Sequence, residues 1–141
     1  MRLIITAIVA LCITSTVQAR EHRFLRIYNP IDLEKYADTS GVAVNGYLYL
    51  PRPDVQYQAR FLSVRIRLLQ VKNKLVVVKE KHAKISAVDG KGVFDFVGDL
   101  KSEAPLEPGQ YVLRVDCHDK LVKGEPMIAT QSVFIEVVAR R

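Results

Sequence analysis

Several motifs that carry enzymatic chemistry are missing from this sequence. It has no G-x-S-x-G elbow of a serine hydrolase and no phosphate-binding G-x-x-x-x-G-K-[ST] loop. No pair of acidic residues stands at a spacing that marks glycoside hydrolysis, and no N-x-[ST] glycosylation site is present. These absences argue against the common hydrolytic and nucleotide-dependent activities, and we expect a protein that is not an enzyme and needs no cofactor.

Long apolar runs are also missing beyond the first nineteen residues. The longest one there is Leu75-Val76-Val77-Val78, which Lys79 and Glu80 end. A bilayer-spanning helix needs about 20 mostly apolar residues. We therefore expect no transmembrane span in the mature chain.

The amino terminus has the three parts of a secretory signal peptide. Arg2 supplies the positive charge, residues 3–14 are apolar, and Val17-Gln18-Ala19 places small residues at positions −3 and −1 of a cleavage site before Arg20. The alternative is an uncleaved anchor, but only seventeen uncharged residues separate the two arginines, whereas a spanning helix needs about 20. We expect cleavage and a place in the secretory pathway, with secretion, the periplasm and the ER lumen all left open.

Removal of residues 1–19 leaves residues 20–141 as a single domain of ordinary size. Cys12 is lost with the signal peptide, so Cys117 becomes the one remaining cysteine and no internal disulfide forms. The formal net charge of the full chain is +6. Its basic residues are scattered among the predicted strands rather than gathered in one block, which indicates a solvated face and not a nucleic-acid site.

Apolar and polar residues alternate in several short segments, as in β-strands with one buried face. The clearest segment is 61–69, whose inward set is Leu62, Val64, Ile66 and Leu68 and whose outward set is Ser63, Arg65 and Arg67. Alternation in 42–50 buries Val42, Val44, Leu48 and Leu50, and alternation in 110–118 buries Tyr111, Leu113, Val115 and Cys117. Weaker signals mark further strands near residues 24–28, 75–79, 83–87, 93–97 and 132–138.

About seven short strands separated by turn residues predict an all-β fold, an antiparallel immunoglobulin-like β-sandwich. In the last strand either Val133, Ile135 and Val137 or the opposite set is buried. Residues 30–40 have room for one helical turn at most.

Two stretches resemble elements of prealbumin-like sandwich modules. Residues 89–96 (DGKGVFDF) resemble a D-x-x-G-x-F-x-F element, and residues 106–115 (LEPGQYVLRV) resemble the L-x-P-G-x-Y-x-L-x-V strand that follows it. Such modules include carboxypeptidase regulatory-like domains and the lumenal domain of ER membrane complex subunit 7. The resemblance implies a prealbumin-like sandwich and an accessory, non-catalytic role. Pro108-Gly109 turns the chain, and Tyr111 can bury its ring while its hydroxyl bonds backbone near that corner.

The densest polar cluster is Asp116-Cys117-His118-Asp119. A metal site would use His118 with one of the two aspartates, yet stable sites need three or four ligands and no second cluster is visible. Cys117 shares the inward parity of Tyr111, which favours a buried, inert thiol over a nucleophile. The main alternative for Cys117 is an intermolecular disulfide. We expect the cluster to bind no metal.

Five residues are candidates for partner binding. Tyr47 and Tyr49 lie on the non-core face of their strand next to Arg52, and Arg65 and Arg67 lie on an outer face that we expect to be adjacent. Together they would form an aromatic–arginine recognition patch. The structural alternative is cross-strand pairing that stabilises a solvated sheet.

The sequence favours a non-enzymatic secretory-pathway sandwich that recognises another protein, as an adaptor or an accessory lumenal subunit, including one of a membrane-associated complex. The alternative is a carrier of a small ligand or carbohydrate that uses the loops at Pro51–Asp54 and Leu100–Pro108. A third hypothesis is an enzyme that depends on Cys117 and His118.

Overall fold

A computed structural model describes residues 24–37, 41–50, 58–90, 92–101 and 104–139. Within these ranges the chain forms nine strands and one 3₁₀ turn, Ala59–Phe61: β1 (Phe24–Asn29), β2 (Glu34–Ala37), β3 (Val42–Tyr49), β4 (Leu62–Val71), β5 (Leu75–His82), β6 (Lys84–Ala87), β7 (Val93–Leu100), β8 (Gly109–Asp119) and β9 (Met127–Val138). The predicted signal peptide, residues 1–19, lies outside the described residues. No helix in the described part of the chain is long and apolar enough to cross a bilayer.

The strands form two sheets that face each other. One has the order β1-β3-β7-β6 and the other the order β2-β9-β8-β4-β5. All pairs are antiparallel except β2–β9, which is parallel. The first sheet corresponds to strands ABED of an immunoglobulin domain and the second to strands GFC, with β5 added beside β4 and β2 beside β9. The predicted fold class is confirmed, with nine strands in the described residues rather than about seven.

The core lies between the two sheets and is built by the predicted inward side chains. Ile66 stands opposite Val115 and Leu68 opposite Leu113, and all four are 0% exposed. The last strand buries Val133, Ile135 and Val137, which settles the parity that the sequence left open. Burying one such side chain stabilises the fold by about 1.5–3 kcal/mol, so these rows fix which face of each strand points to solvent.

Two local features close the sandwich. Gly46 holds an inward position of β3 where β1 crosses closely, and a Cβ there would stand 2.1 Å from the Arg26 carbonyl oxygen. The Tyr111 hydroxyl donates a hydrogen bond to the Glu107 carbonyl at 2.7 Å while the residue stays 1% exposed. This is the tyrosine corner expected after Pro108-Gly109, and burial raises the pKa of the Tyr111 phenol.

The segment after β1 differs from the expectation of one helical turn. Residues 34–37 instead form the parallel strand β2, with Tyr36 opposite Val137 on β9. Tyr36 packs against the core, and burial raises its pKa to about 12. Contacts with a strand about one hundred residues away decide this conformation, so local sequence could not reveal it.

Candidate functional site

An apolar row crosses the outer face of the five-stranded sheet. Val77 on β5 stands opposite Leu69 on β4, Leu69 stands opposite Val112 on β8, and Val112 stands opposite Phe134 on β9. Directly opposed side chains on neighbouring strands are about 4.5–5.5 Å apart at Cβ, so the four residues form one continuous stripe. We call these four residues the apolar row.

The apolar row is exposed at its ends and buried in the middle. Phe134 is 53% exposed and Val77 46%, whereas Leu69 and Val112 are each 5% exposed. Val71 and Leu75 face each other in the next position along β4 and β5, with exposures of 38% and 47%. Isolated exposed apolar residues are ordinary on a protein surface, but a contiguous group marks an interaction site.

A strained turn holds a further apolar side chain beside Phe134. Leu33 has a φ of 64°, in the left-handed region that a bulky residue rarely adopts, and its side chain is 74% exposed. The Leu33 N–H donates to the Phe134 carbonyl at 2.6 Å, and the Phe134 N–H donates to Asp32 Oδ1 at 2.7 Å. The turn is therefore hydrogen-bonded to both the N–H and the carbonyl group of Phe134. Retained strain of this kind is a pointer to function.

A small cleft lies at this end of the apolar row. Its volume is about 120 Å³ and its lining residues are Leu33, Gln110, Phe134, Ile135 and Glu136. Apolar walls with polar groups at the rim suit the insertion of one side chain from a partner. We group Leu33 and the apolar row as the recognition face.

A charged network borders the recognition face on β4 and β8, two positions from Leu69 and Val112. Arg67 forms an ion pair with Asp116, and the Thr130 hydroxyl donates to the second oxygen of the same carboxylate at 2.6 Å. Arg65 lies 3.4 Å from Glu80, and Arg114 Nε donates to Ser132 Oγ at 3.4 Å. Arg67 keeps 26% of its side chain exposed beside the apolar row, although its Nε is buried and has no hydrogen-bond partner among the described residues.

Asp116 differs from the solvated position that alternation predicts. It does lie on the outer face, but it is only 1% exposed because arginine and threonine side chains cover it. A buried carboxylate is tolerated when it is paired and hydrogen-bonded, as here. Its oxygens are thus engaged within the fold and are not free to bind a metal ion.

The predicted aromatic–arginine patch is divided between two faces. Tyr47 and Tyr49 lie on β3, in the outer face of the four-stranded sheet, whereas Arg65 and Arg67 lie on β4 in the other sheet. The core separates the two groups, so the structure does not bring them together. Arg52 lies outside the described residues.

Tyr47 and Tyr49 instead join two aromatic rings of β1. The Phe24 ring centroid is 5.5 Å from that of Tyr47 and 5.3 Å from that of Tyr49, and Tyr28 lies 5.0 Å from Tyr47. Such contacts are the cross-strand pairing weighed as the structural alternative, and each adds stability of about 0.5–1.5 kcal/mol. Phe24 is 40% exposed and Tyr28 57%, so this second face stays open to solvent.

The Asp116–Asp119 cluster does not converge on one point. Cys117 is 0% exposed on the inner side, while His118 lies on the outer side and its Nδ1 is 2.9 Å from the Glu125 carbonyl oxygen. Burial, and secondarily the charge of Asp119, raises the pKa of the Cys117 thiol to about 12. No group of three or more potential metal ligands occurs among the described residues. The predicted burial of this cysteine is confirmed.

A second groove lies at the end of β4 near His82. It has a volume of about 320 Å³ and is lined by Leu62, Ser63, Val64, His82, Ala83, Lys120 and Glu125. The Ser63 hydroxyl is 3.2 Å from His82 Nδ1, a contact that a nucleophile and its base would also make. In the described residues no carboxylate hydrogen-bonds His82, so the pair lacks the group that orients the imidazole of a triad.

Sequence reasoning missed the apolar row, although a signal for it exists. Leu69, Val112 and Phe134 are apolar residues at the outward parity of strands whose inward residues are already apolar. Each one read alone is an irregularity in the alternation. Only the strand register shows that the three irregularities stand side by side.

Comparison with known proteins finds only distant structural similarity. No protein-family model matches the chain, and no curated protein matches it. A solved structure from the aggregative adherence fimbriae of enteroaggregative Escherichia coli, concerned with host recognition and biofilm formation, is similar: it is 15% identical, with 82% of this chain and 99% of that chain covered and a TM-score of 0.46. The structure of Dpr1 IG1 bound to DIP-eta IG1 is 9% identical, with 82% and 95% covered and a TM-score of 0.33. Strand order and core together define an immunoglobulin-like β-sandwich.

Substitution of Leu33 tests the strain in the turn. Asn adopts the left-handed region more readily than Leu, and the Leu33 side chain buries little, so Leu33→Asn should raise the free energy of unfolding by about 0.5–1 kcal/mol. Denaturant titration gives the value. The matched control is Leu121→Asn, at a loop residue that is 51% exposed and has no positive φ. That change should stay within about 0.5 kcal/mol. If Leu33→Asn destabilised the protein and Leu121→Asn did not, the assignment of strain would be contradicted.

The thiol of Cys117 should resist chemical labelling in the folded protein. A thiol with a pKa of about 12 and no exposed surface offers almost no thiolate at pH 8. Iodoacetamide should therefore label Cys117 only after the protein is unfolded. Because the pKa is raised in the folded state, stability should fall as pH rises above about 9, and Cys117→Val should reduce that dependence. Rapid labelling of the folded protein would contradict the buried placement.

Proposed function

We propose that this protein is an exported, non-enzymatic recognition module that binds another protein through the outer face of its five-stranded sheet. The observation that carries the proposal is the apolar row. It runs across four strands at positions where an isolated sandwich would place polar side chains. The recognition face has no role in the core, because the core lies on the opposite side of the same sheet.

The arrangement matches the anatomy of a protein interface. Interfaces have an apolar centre and a polar rim, with aromatic residues and arginine as the strongest contributors. Here Phe134 and Leu33 stand at one end, and Arg67 and Arg114 border the apolar row. The ion pair of Arg67 with Asp116 holds its guanidinium group in place, which lowers the entropy that binding costs.

Three placements support a role without catalysis. Cys117 and His118 point to opposite sides of the sheet, which separates a thiol from the nearest base along the chain. The carboxylate of Asp116 is already bonded to Arg67 and Thr130. The Ser63–His82 contact lacks an orienting acid among the described residues.

The exported location and the accessory role rest on the sequence. The segment Arg2 to Ala19 has the organisation of a signal peptide, and the resemblance to prealbumin-like modules, including the lumenal domain of ER membrane complex subunit 7, suits an adaptor or accessory subunit. The tyrosine corner that belongs to this resemblance supports the sandwich, not a particular complex.

Exchange of Phe134 tests the recognition face. Tagged protein would be crosslinked mildly in the cells that produce it, and partners would be quantified by mass spectrometry. Phe134→Glu should abolish capture of specific partners, because loss of an aromatic hot-spot contact costs at least about 2 kcal/mol of binding. Leu33→Asn should also weaken capture, even though it should make the fold more stable.

The matched control is Phe24→Glu, which changes an aromatic residue of similar exposure on the opposite face of the sandwich. It should leave capture at the wild-type level. Equal capture by all variants, or loss with Phe24→Glu alone, would show that the recognition face is wrongly assigned. Circular dichroism of each purified variant separates loss of binding from loss of folding.

The signal peptide has a direct test. Amino-terminal sequencing of protein recovered outside the cytoplasm should begin at Arg20, since Val17-Gln18-Ala19 satisfies the small-residue rule at positions −3 and −1. Retention of residues 1–19 on the exported protein would overturn the cleavage and favour a membrane anchor.

A further inference from the structure

The four edge strands of the sandwich differ in how well they are protected. Strands β2 and β6 have four residues each. The edge of β1 is partly capped, because the Ile27 N–H donates to Gln131 Oε1 at 2.5 Å. Strand β5 has eight residues, and within the described part of the chain it pairs only with β4.

The free edge of β5 can form a full set of backbone hydrogen bonds. Every second residue of an edge strand directs its N–H and C=O away from its own sheet. Leu75, Val76 and Val77 are 47%, 38% and 46% exposed, so the strand also offers apolar side chains. An exposed apolar edge of this length is a template for another strand.

Two lysines decide which strand this edge accepts. Lys79 stands opposite Leu68 and Lys81 opposite Ile66, so both lysines lie on the inward side of the sheet at its margin. Inward-pointing charges on an edge are a device against self-pairing, because a second apolar strand would have to bury them. A second copy of this chain would bring the same lysines and another positive net charge.

The surroundings of β5 strengthen its positive charge. Lys74 lies in the turn that enters the strand and Lys84 follows it, whereas Lys72 in the same turn is paired with Glu107 at 3.4 Å. Glu80 is occupied by Arg65 at 3.4 Å. Among the described residues neither Lys79 nor Lys81 forms an ion pair. Acidic side chains on an incoming strand would convert this barrier into an attraction.

We propose that the free edge of β5 binds an extended acidic segment of another protein as an added β-strand. Val77 belongs to both this edge and the recognition face, but the free backbone groups of β5 and the two lysines lie outside that face. The inference therefore goes beyond the proposed function and does not rest on it. Backbone hydrogen bonds supply affinity in this mode, and alternate side chains supply specificity.

The register of β5 predicts the pattern of the partner segment. Lys79 and Lys81 share one side of the sheet, so the segment needs acidic residues two positions apart on that side. Leu75 and Val77 share the outer side, so the other half of the segment needs apolar residues at alternate positions. The irregularity between Leu68 and Leu69 of β4 sits between the two halves.

Fluorescent eight-residue peptides can test the proposal by anisotropy titration of the folded protein. The peptides would be selected from a displayed library in which one half carries glutamates at positions i and i+2 and the other half carries valines at alternate positions. This library should yield binders. Moving the two glutamates to adjacent positions should weaken binding about two- to fivefold, because only one then faces a lysine. N-methylation of alternate peptide amides should abolish binding, since it removes the backbone donors.

A charge exchange supplies the matched protein control. The double variant Lys79→Glu with Lys81→Glu should no longer bind the acidic peptide. It should bind the peptide in which lysines replace the two glutamates. Lys35→Glu with Lys123→Glu changes the net charge by the same amount at exposed positions away from β5, and it should leave binding within about twofold at 0.15 M salt. Hydrogen exchange of the complex should protect amides of residues 75–82 and leave Phe134 unchanged.

No binder in the library, equal binding of the permuted peptide, or equal weakening by both double variants would overturn the proposal. So would protection at Phe134 in place of β5, or a dimer of the protein itself joined at β5. Normal partner capture by Lys79→Glu with Lys81→Glu, together with loss of the peptide, would uphold this inference independently of the recognition face.

Discussion

The pairing of β4 with β8 at the centre of the five-stranded sheet is the constraint on which both of its faces depend. Ile66 opposite Val115 and Leu68 opposite Leu113 place fully buried side chains in register against the other sheet. Side chains of a strand alternate with a period of two, so this register also fixes what points outward. A slip of one residue would bury Arg65, Arg67 and Arg114, which no gain in apolar contact could offset.

The outward side of the same pairing is divided into two unlike zones. Toward the ends of β4 and β8 that hold Arg65 and Asp116, paired charges cover one another. Two positions further along, Leu69 and Val112 meet, and their neighbours Val77 and Phe134 extend the stripe. In the charged zone Asp116 is paired with Arg67 and Thr130, although Nε of Arg65 and of Arg67 is buried without a hydrogen bond among the described residues. In the apolar zone Leu69 and Val112 are buried, whereas Val77 and Phe134 remain about half exposed. Register alone sets these zones side by side.

The margins of the sheets follow a related logic. A sandwich leaves open edges, and each open edge is a route to unwanted association. Here the edges are short, capped by the Gln131 side chain, or guarded by lysine. Protection by the two lysines of β5 differs from shortness or capping because it depends on the charge of the incoming strand. The lysines repel a second copy of this chain and attract an acidic strand. Protection of the monomer and choice of a partner are then two effects of the same two side chains.

Local patterns were enough to predict which side chains point inward, where the main turns fall and that Cys117 is buried, because these depend on the period of the strand and the chemistry of single residues. Tyr111 and the Pro108-Gly109 corner were readable for the same reason. Strand order was not readable, since pairing joins residues far apart and each strand carries the same alternation. Only the tertiary structure therefore separated Tyr47 and Tyr49 from Arg65 and Arg67, turned residues 34–37 into a parallel strand, and aligned Leu69, Val112 and Phe134. The strained Leu33 beside Phe134 left no local trace at all, because its backbone is held by contacts with β9.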